Sequence, residues 1–275
     1  MFPPVSPIQW REILVMAQDH TMMASRFELK YLIPEKTALQ VRDFIRQYLE
    51  LDEFGIGQPN YSYPVHSLYL DSDDLEIHRR TVNGDKNRYK LRVRYYNENP
   101  KTPVFFEIKK RMKDIIMKER GTVRRSASQK ILSGHFPEPG DMKSDDPAEL
   151  EAIRRFIRLM NDVNAKPKMH VAYDREAYVN NYNNEVRVTM DRNVRGVPRP
   201  SGELLVNTAG GYVCTTDIVI LELKFTGRFP DWYRELVRHF NCFQTGAAKY
   251  VETTYVDQGT RWKLHPKDMI RGMVW

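Results

Sequence analysis

Polar and apolar residues alternate along much of this chain. Lys90, Arg92 and Arg94 recur at every second position, with Leu91, Val93 and Tyr95 between them. Glu107, Lys109 and Arg111 repeat the pattern around Phe106, Ile108 and Lys110. A β-strand turns successive side chains to opposite faces, so each trio lines one face of its strand. The same period runs through 26–33, where Arg26, Glu28 and Lys30 oppose Phe27, Leu29 and Tyr31. It returns in 65–71, in 115–123 with Lys118 and Arg120, and in 168–178 with Tyr173 and Arg175. Segments 185–191 (Glu185, Arg187, Thr189, Asp191) and 217–225 (Glu222, Lys224) complete the set.

Helical spacing replaces alternation in three places: 35–51, with Leu39, Val41, Ile45 and Leu49; 148–163, with Leu150, Ile153, Phe156, Ile157 and Met160; and 230–243, with Trp232, Leu236 and Phe240. Residues 75–81 fit a short helix or another strand. Asn83-Gly84 and Lys113-Asp114 read as turns, and 52–64, 126–147 and 193–212 as loops. Residues 1–24 form an N-terminal extension with short-helix character, 25–255 one domain, and 256–275 a basic tail expected on the surface. The expected fold is α+β: about eight antiparallel strands closing into a barrel, with the helices packed outside against the apolar faces. The charged faces then line the lumen.

Composition sharpens this picture. With 41% hydrophobic and 29% charged residues in 275, a packed core is feasible. The net charge is +7, yet Arg79–Arg125 alone holds 16 Lys/Arg against 5 Asp/Glu. That segment carries more than the whole excess, which implies a polyanionic partner. Cations crowded in a lumen repel one another and lose hydration unless an anion fills it. Polyphosphate or a nucleoside triphosphate answers that need, since Arg grips phosphate bidentately and Lys acts as a point charge. Solvated basic strands touching nucleic acid would explain the charge as well. They would not explain why cations recur on nearly every strand with few Asn or Gln among them, so no nucleic-acid partner is expected.

Glu222 sits among these cations. It either holds a divalent metal, because Mg²⁺ and Mn²⁺ prefer oxygen ligands, or forms a salt bridge with a neighbouring Arg or Lys. Glu28 and Glu107 each lie two residues from a lysine that they can simply orient. Seven histidines show no catalytic clustering. Cys214 and Cys242 make no disulfide framework and no metal-ligand spacing, which fits reduced thiols in a cytoplasmic protein. No apolar run is long enough to span a membrane, and no signal peptide is evident.

Nine short pieces occur in a characteristic order: FELKY (27–31), SLYLDSDDLEIHRR (67–80), KLRVRYY (90–96), FFEIKKR (105–111), KERG (118–121), AYDREAY (172–178), VRVTMD (186–191), LELKF (221–225) and AAKY (247–250). Together they resemble the VTC domain of polyphosphate polymerases, within the triphosphate tunnel metalloenzyme (CYTH-like) superfamily. The resemblance implies an eight-stranded tunnel that transfers the γ-phosphate of ATP to inorganic polyphosphate with Mn²⁺ or Mg²⁺. By the same resemblance, Lys30, Arg92, Arg94, Lys109, Arg175, Arg187 and Lys249 fall where the family contacts phosphates. Arg80 and Lys118 match further contacts, Tyr173 a tyrosine near the nucleotide, and Glu222 the metal-binding glutamate. Lys224, on Glu222's face, is a further phosphate ligand in this scheme. Two departures stand out. Arg26 replaces the first glutamate of the Glu-x-Glu-x-Lys motif of related triphosphatases and cyclases, and Ala248 stands where the family often has serine. With no membrane segment in this chain, coupling to a membrane is expected only through a partner protein. Hydrolysis of tripolyphosphate or a nucleoside triphosphate, and non-catalytic polyphosphate binding, are the alternative readings.

Overall fold

The computed structural model describes residues 26–113, 115–180, 185–215 and 217–257. The expected N-terminal extension, Asp114 of the predicted turn and nearly all of the basic tail lie outside them. The described residues form ten antiparallel strands: β1 (Arg26–Pro34), β2 (Glu50–Leu51), β3 (Ser62–Asp71), β4 (Asn87–Tyr95), β5 (Val104–Met112), β6 (Ile115–Val123), β7 (Lys166–Val179), β8 (Val186–Pro198), β9 (Tyr212–Val213) and β10 (Ile218–Thr226). Eight are long; β2 and β9 are two-residue additions to the sides of β7 and β8. The strand order is β2-β7-β3-β4-β5-β6-β1-β10-β8-β9, and β7 also pairs with β8 along most of its length. The β1–β6 pairing is a single residue pair, Arg26 with Ile116.

Helices cover the apolar faces, as the periodicity predicts. Helix α1 (Glu35–Ile45) starts directly after Pro34, the last residue of β1, which lies opposite Ile218 and has no N–H to donate, and it buries Ala38, Val41 and Ile45 at helical spacing. Helix α2 (Glu76–Val82) settles the ambiguous 75–81 segment, and α3 (Ser128–Leu132) is a short turn inside a stretch expected to be irregular. Helix α4 (Pro147–Asp162) opens with proline at its first position and with Asp146 accepting the Ala148 N–H at 2.8 Å. Its stripe of Ile153, Phe156, Ile157 and Met160 packs with Leu68, Leu91, Val93, Phe106 and Ile108. Helix α5 (Asp231–His239) packs with α1 over Val188, Val219, Leu221 and Leu223.

Several boundaries differ from the periodicity. The helix predicted over 35–51 stops at Ile45, and Leu51 joins β2 opposite Tyr178. The helix over 230–243 ends at His239 because Asn241 takes a left-handed conformation (φ 47°) and the Cys242 N–H turns back to the Val237 carbonyl. Strand β8 runs on to Pro198 where a loop is predicted. Asn193 (φ 52°) and a register shift against β7 break the alternation without ending the pairing.

Helix α6 (Lys249–Asp257) has no counterpart in the sequence reading. It packs on β7 and β8 so closely that a Cβ on Gly196 would sit 2.5 Å from Thr253. Beneath it lies an apolar cluster including Leu32, Tyr69, Val171, Ile220 and Tyr250. Leu32 and Ile220 share strand faces with Lys30 and Glu222, so the face expected to be charged throughout becomes apolar at one end.

Candidate active site

Cross-strand register assembles the charged face into two hubs. The first centres on Glu107 of β5, which is 0% exposed. Arg92 of β4 and Arg120 of β6 lie directly opposite it on either side. Arg92 donates to Glu107 at 2.8 and 2.7 Å, Arg120 at 2.9 and 2.7 Å, and Lys118 at 2.8 Å. Burial alone would raise the Glu107 pKa. Lys118, Arg94, Arg92 and Arg120 more than offset this and hold it well below the usual carboxylate range. Arg92 also donates to the Tyr69 hydroxyl at 3.2 Å. Next to it on the same face, Arg94 is buried and donates to the Tyr173 hydroxyl at 3.3 Å. Its Nε has no hydrogen-bond partner among the described residues.

The second hub centres on Glu222 of β10, 3% exposed. Lys224 approaches it at 2.7 Å, Lys249 at 2.9 Å, Lys30 at 3.2 Å and Arg175 at 3.7 Å. The Thr189 hydroxyl adds a hydrogen bond at 3.3 Å. Asp191 extends this hub: Arg175 grips it bidentately at 2.7 and 2.8 Å, and Lys249 reaches it at 2.6 Å. The Tyr173 ring lies 5.1 Å from the Arg175 guanidinium and 4.8 Å from the Lys249 ammonium, both within cation–π range.

Tyr173 joins the hubs through Arg94 and Arg175, and Glu28 extends the second one to β5. Glu28 pairs with Lys30 at 3.1 Å and with Lys109 at 2.9 Å. Orientation of Lys30 by Glu28 matches the sequence reading. Glu107 does not orient Lys109, because its cross-strand neighbours are closer than a residue two positions along its own strand. Burial and the nearby Arg175 and Lys109 push Lys224 down to about 7, although Glu222 favours its charge.

Of the residues singled out from sequence, Lys30, Arg92, Arg94, Lys109, Lys118, Tyr173, Arg175, Glu222, Lys224 and Lys249 are thus tied into one network. Arg187 lies at its edge, bonded to Asp52 at 2.7 Å and near the Tyr63 hydroxyl at 3.4 Å. Arg80 stands apart on α2, paired with Glu76 at 2.5 Å and half-exposed. Sequence reasoning assigned no role to Asp191, Arg120 or Asp52. The first two share alternating faces with residues it did choose, so period 2 was a usable signal. Asp52 carries no such signal, because it follows the two-residue β2.

The network offers hard oxygen donors but no ready-made metal cage. Among the described residues no group of three or more His, Cys, Asp or Glu side chains is arranged to hold a metal. Glu222 and Glu28 both contact the Lys30 ammonium, so two carboxylates converge on one point. One or two carboxylates completed by substrate phosphates and water are the usual protein share of a Mg²⁺ site. The described residues therefore fit a divalent ion that arrives with a phosphate ligand.

The family model described as the VTC domain matches residues 25–256. No curated protein matches the chain. Among solved structures it is similar to a candidate adenylate cyclase from Bacillus halodurans, with 14% identity, TM-score 0.45, and 82% of this chain and 94% of that one covered. A candidate adenylate cyclase from Vibrio parahaemolyticus is similar at 12% identity and TM-score 0.44, covering 85% and 99%. The Mimivirus capping enzyme triphosphatase is similar at 11% identity and TM-score 0.36, covering 86% and 97%. No helix among the described residues is long and apolar enough to cross a membrane.

Proposed function

The chain belongs to the VTC domain family, and from that premise we propose that it is a polyphosphate polymerase that moves the γ-phosphate of ATP onto a growing inorganic polyphosphate chain. One observation carries the reading. Ten cations from seven strands and α6 (Lys30, Arg92, Arg94, Lys109, Lys118, Arg120, Arg175, Arg187, Lys224 and Lys249) converge on a single network with five carboxylates, Asp52, Glu28, Glu107, Asp191 and Glu222, among the described residues. With every lysine and arginine counted as charged, cations outnumber carboxylates by five in a largely buried site, and burial lowers the pKa of the Lys224, Lys109 and Lys118 ammonium groups in the absence of an anion. A linear polyanion is the ligand class that neutralises such an excess without leaving the cations desolvated and unpaired.

In this reading the long strands form a tunnel, joined through the β7–β8 pairing and the thin β1–β6 seam. Arg92, Arg94, Arg175, Lys30, Lys109 and Lys249 hold the phosphates of ATP and the chain end in line, with Lys118 and Arg187 adding charge around them. The Nε of Arg94, 3.9 Å from Glu107 and without a hydrogen-bond partner among the described residues, is a donor that a phosphate oxygen can satisfy. Tyr173 holds Arg175, Arg94 and Lys249 in position. Glu107 and Asp191 preorganise their arginines, so those donors need no reorganisation as charge develops in transfer. The acceptor is a phosphate oxyanion, already deprotonated, and no general base is required. Catalysis is then positioning and charge stabilisation, as phosphoryl transfer generally needs. Glu222, with Glu28, would hold Mn²⁺ or Mg²⁺, which supplies charge neutralisation at phosphate oxygens. The reaction suits the cytoplasm, where ATP is abundant.

The test is direct. Purified protein is incubated with ATP and Mn²⁺, with and without a short polyphosphate primer, and products are resolved on a gel stained for polyphosphate. A ladder that disappears in Arg92→Ala supports the polymerase. Free phosphate without a ladder would mean a triphosphate hydrolase, and bound polyphosphate without turnover a binding module.

A further inference from the structure

Helix α6 delivers Lys249 to the second hub from its first residue, so the placement of that ammonium depends on how the helix is seated. Two contacts fix the seating. Thr253 lies against Gly196 of β8, where a Cβ on the glycine would come within 2.5 Å, and this sets the distance of α6 from the strand. Tyr250, 1% exposed, sets its rotation. Its hydroxyl donates to Asp71 at 2.7 Å, and its ring stacks on Tyr69 at 4.9 Å between centroids. Successive residues of a helix point about 100° apart around its axis. The rotation that carries Tyr250 to Asp71 is therefore the one that carries Lys249 to Glu222 and Asp191. Asp71 is a firm anchor. It ends β3, is 0% exposed, and also accepts the N–H groups of Ser72 at 2.8 Å and, in the first turn of α2, of Ile77 at 2.8 Å and His78 at 2.9 Å. Four donors hold its carboxylate in one orientation.

We infer that Tyr250 is a positioning residue, which orients the Lys249 ammonium toward a phosphate ligand through its own bond to Asp71. The inference rests on the reading of the network as a phosphate site. Tyr250 itself need not touch the ligand. Its hydroxyl is spent on Asp71, and its ring lies between Tyr69 and the edge of His78. Without the hydroxyl bond α6 keeps its packing on Gly196 and the ring its place on Tyr69. The helix is then free to turn about its axis, which moves Lys249 relative to the cations that the strands hold in fixed register. Those strand cations, Lys30, Lys224 and Arg175 among them, stay where cross-strand pairing puts them. Lys249 has no such pairing to place it, and the Asp71–Tyr250 bond takes that role.

The test is a double-mutant cycle read by binding. Tripolyphosphate is titrated calorimetrically into wild type, Tyr250→Phe, Lys249→Gln and the double variant, and the melting temperature of each is recorded without ligand. Tyr250→Phe removes only the bond to Asp71. It should weaken tripolyphosphate binding about fivefold in the wild-type background, the scale of one hydrogen bond. In the Lys249→Gln background it should cost nothing further, because no ammonium is left to orient. Such non-additivity marks residues that act as a unit. Asp71→Asn breaks the same bond from the other side and should give the same pattern, so the inference does not hang on one variant. An equal loss of affinity in both backgrounds would mean that Tyr250 acts elsewhere than through Lys249, and would overturn the inference. So would a lower melting temperature with affinity unchanged, the result of a contact that only holds the fold. Either outcome leaves the phosphate reading standing. If wild type binds no tripolyphosphate, that reading falls and takes the inference with it.

Discussion

Replacing Glu107 by glutamine keeps the shape of the first hub and removes its one negative charge. Glu107 is fully buried and accepts from Arg92, Arg120 and Lys118 at 2.7–2.9 Å, with Arg94 at 3.9 Å. Removing one partner from a buried ion pair costs about 3–5 kcal/mol, because the charge left behind is uncompensated. Here three cations lose their common partner, so the upper part of that range is expected. In a domain of this size each kcal/mol moves the melting temperature by about 2–4 °C, so Glu107→Gln should melt on the order of 10 °C or more below wild type. The same cations are proposed to bind phosphate. Added tripolyphosphate should therefore stabilise the variant by a larger increment than it stabilises wild type. Thermal denaturation of both proteins, with and without tripolyphosphate, checks both statements. A drop of only a degree or two, or an equal increment from the ligand in both proteins, would refute the argument that Glu107 offsets an otherwise unbalanced cation cluster.

Further expectations concern other links of the account. Glu222→Gln should abolish product formation while leaving measurable polyphosphate binding, and raising Mn²⁺ should not restore it; full activity in that variant would remove Glu222 from the chemistry. Gly121→Ala places a Cβ 2.8 Å from the Glu149 carbonyl and 2.4 Å from Ile153, so α4 must shift off β6 at a cost of about 1–3 kcal/mol, read by denaturant unfolding. The buried His66–His170 pair, 3.0 Å apart, is held down to about 4 and about 3 by desolvation. Both folded values lie below the unfolded value, so stability is complete above pH 6.5 and declines as pH falls toward 4. His66→Leu/His170→Leu should flatten the unfolding free energy across that window, whatever its absolute stability. Glu252 is pushed up to about 7 by burial, so its stabilising effect is present at acid pH and lost as pH rises through 7; Glu252→Gln should gain stability relative to wild type at pH 8 but not at pH 4.

Much of this was legible in the sequence, because period 2 and period 3.6 are imposed by backbone geometry. The alternation around Lys30, Arg92, Lys109, Arg175 and Glu222 marked the inward cations one strand at a time. What alternation cannot give is register. Glu107 was assigned to Lys109, two residues away on its own strand, whereas its partners Arg92 and Arg120 lie on neighbouring strands. Asp191 was visible on its face but had no reason to stand out until β7 placed Arg175 opposite it. Helix α6 was missed because it has no apolar stripe to read. Tyr250, Val251, Thr253 and Thr254 are all buried, around more than one face, and two of them are threonines that back-bond to its own carbonyls. That helix is specified by the apolar end of the inner face, which exists only once the strands are assembled.

The central claim is that this buried cation network transfers phosphate from ATP to a phosphate chain. The most direct measurement follows the γ-phosphate itself. ATP labelled at the γ-position is incubated with the protein, Mn²⁺ and a polyphosphate primer, and label in acid-stable chain is compared with label in free phosphate and with ADP formed. Label should enter the chain in step with ADP, and none should enter it in the Arg92→Ala variant. Label released as free phosphate in step with ADP, with the primer unextended, would contradict it.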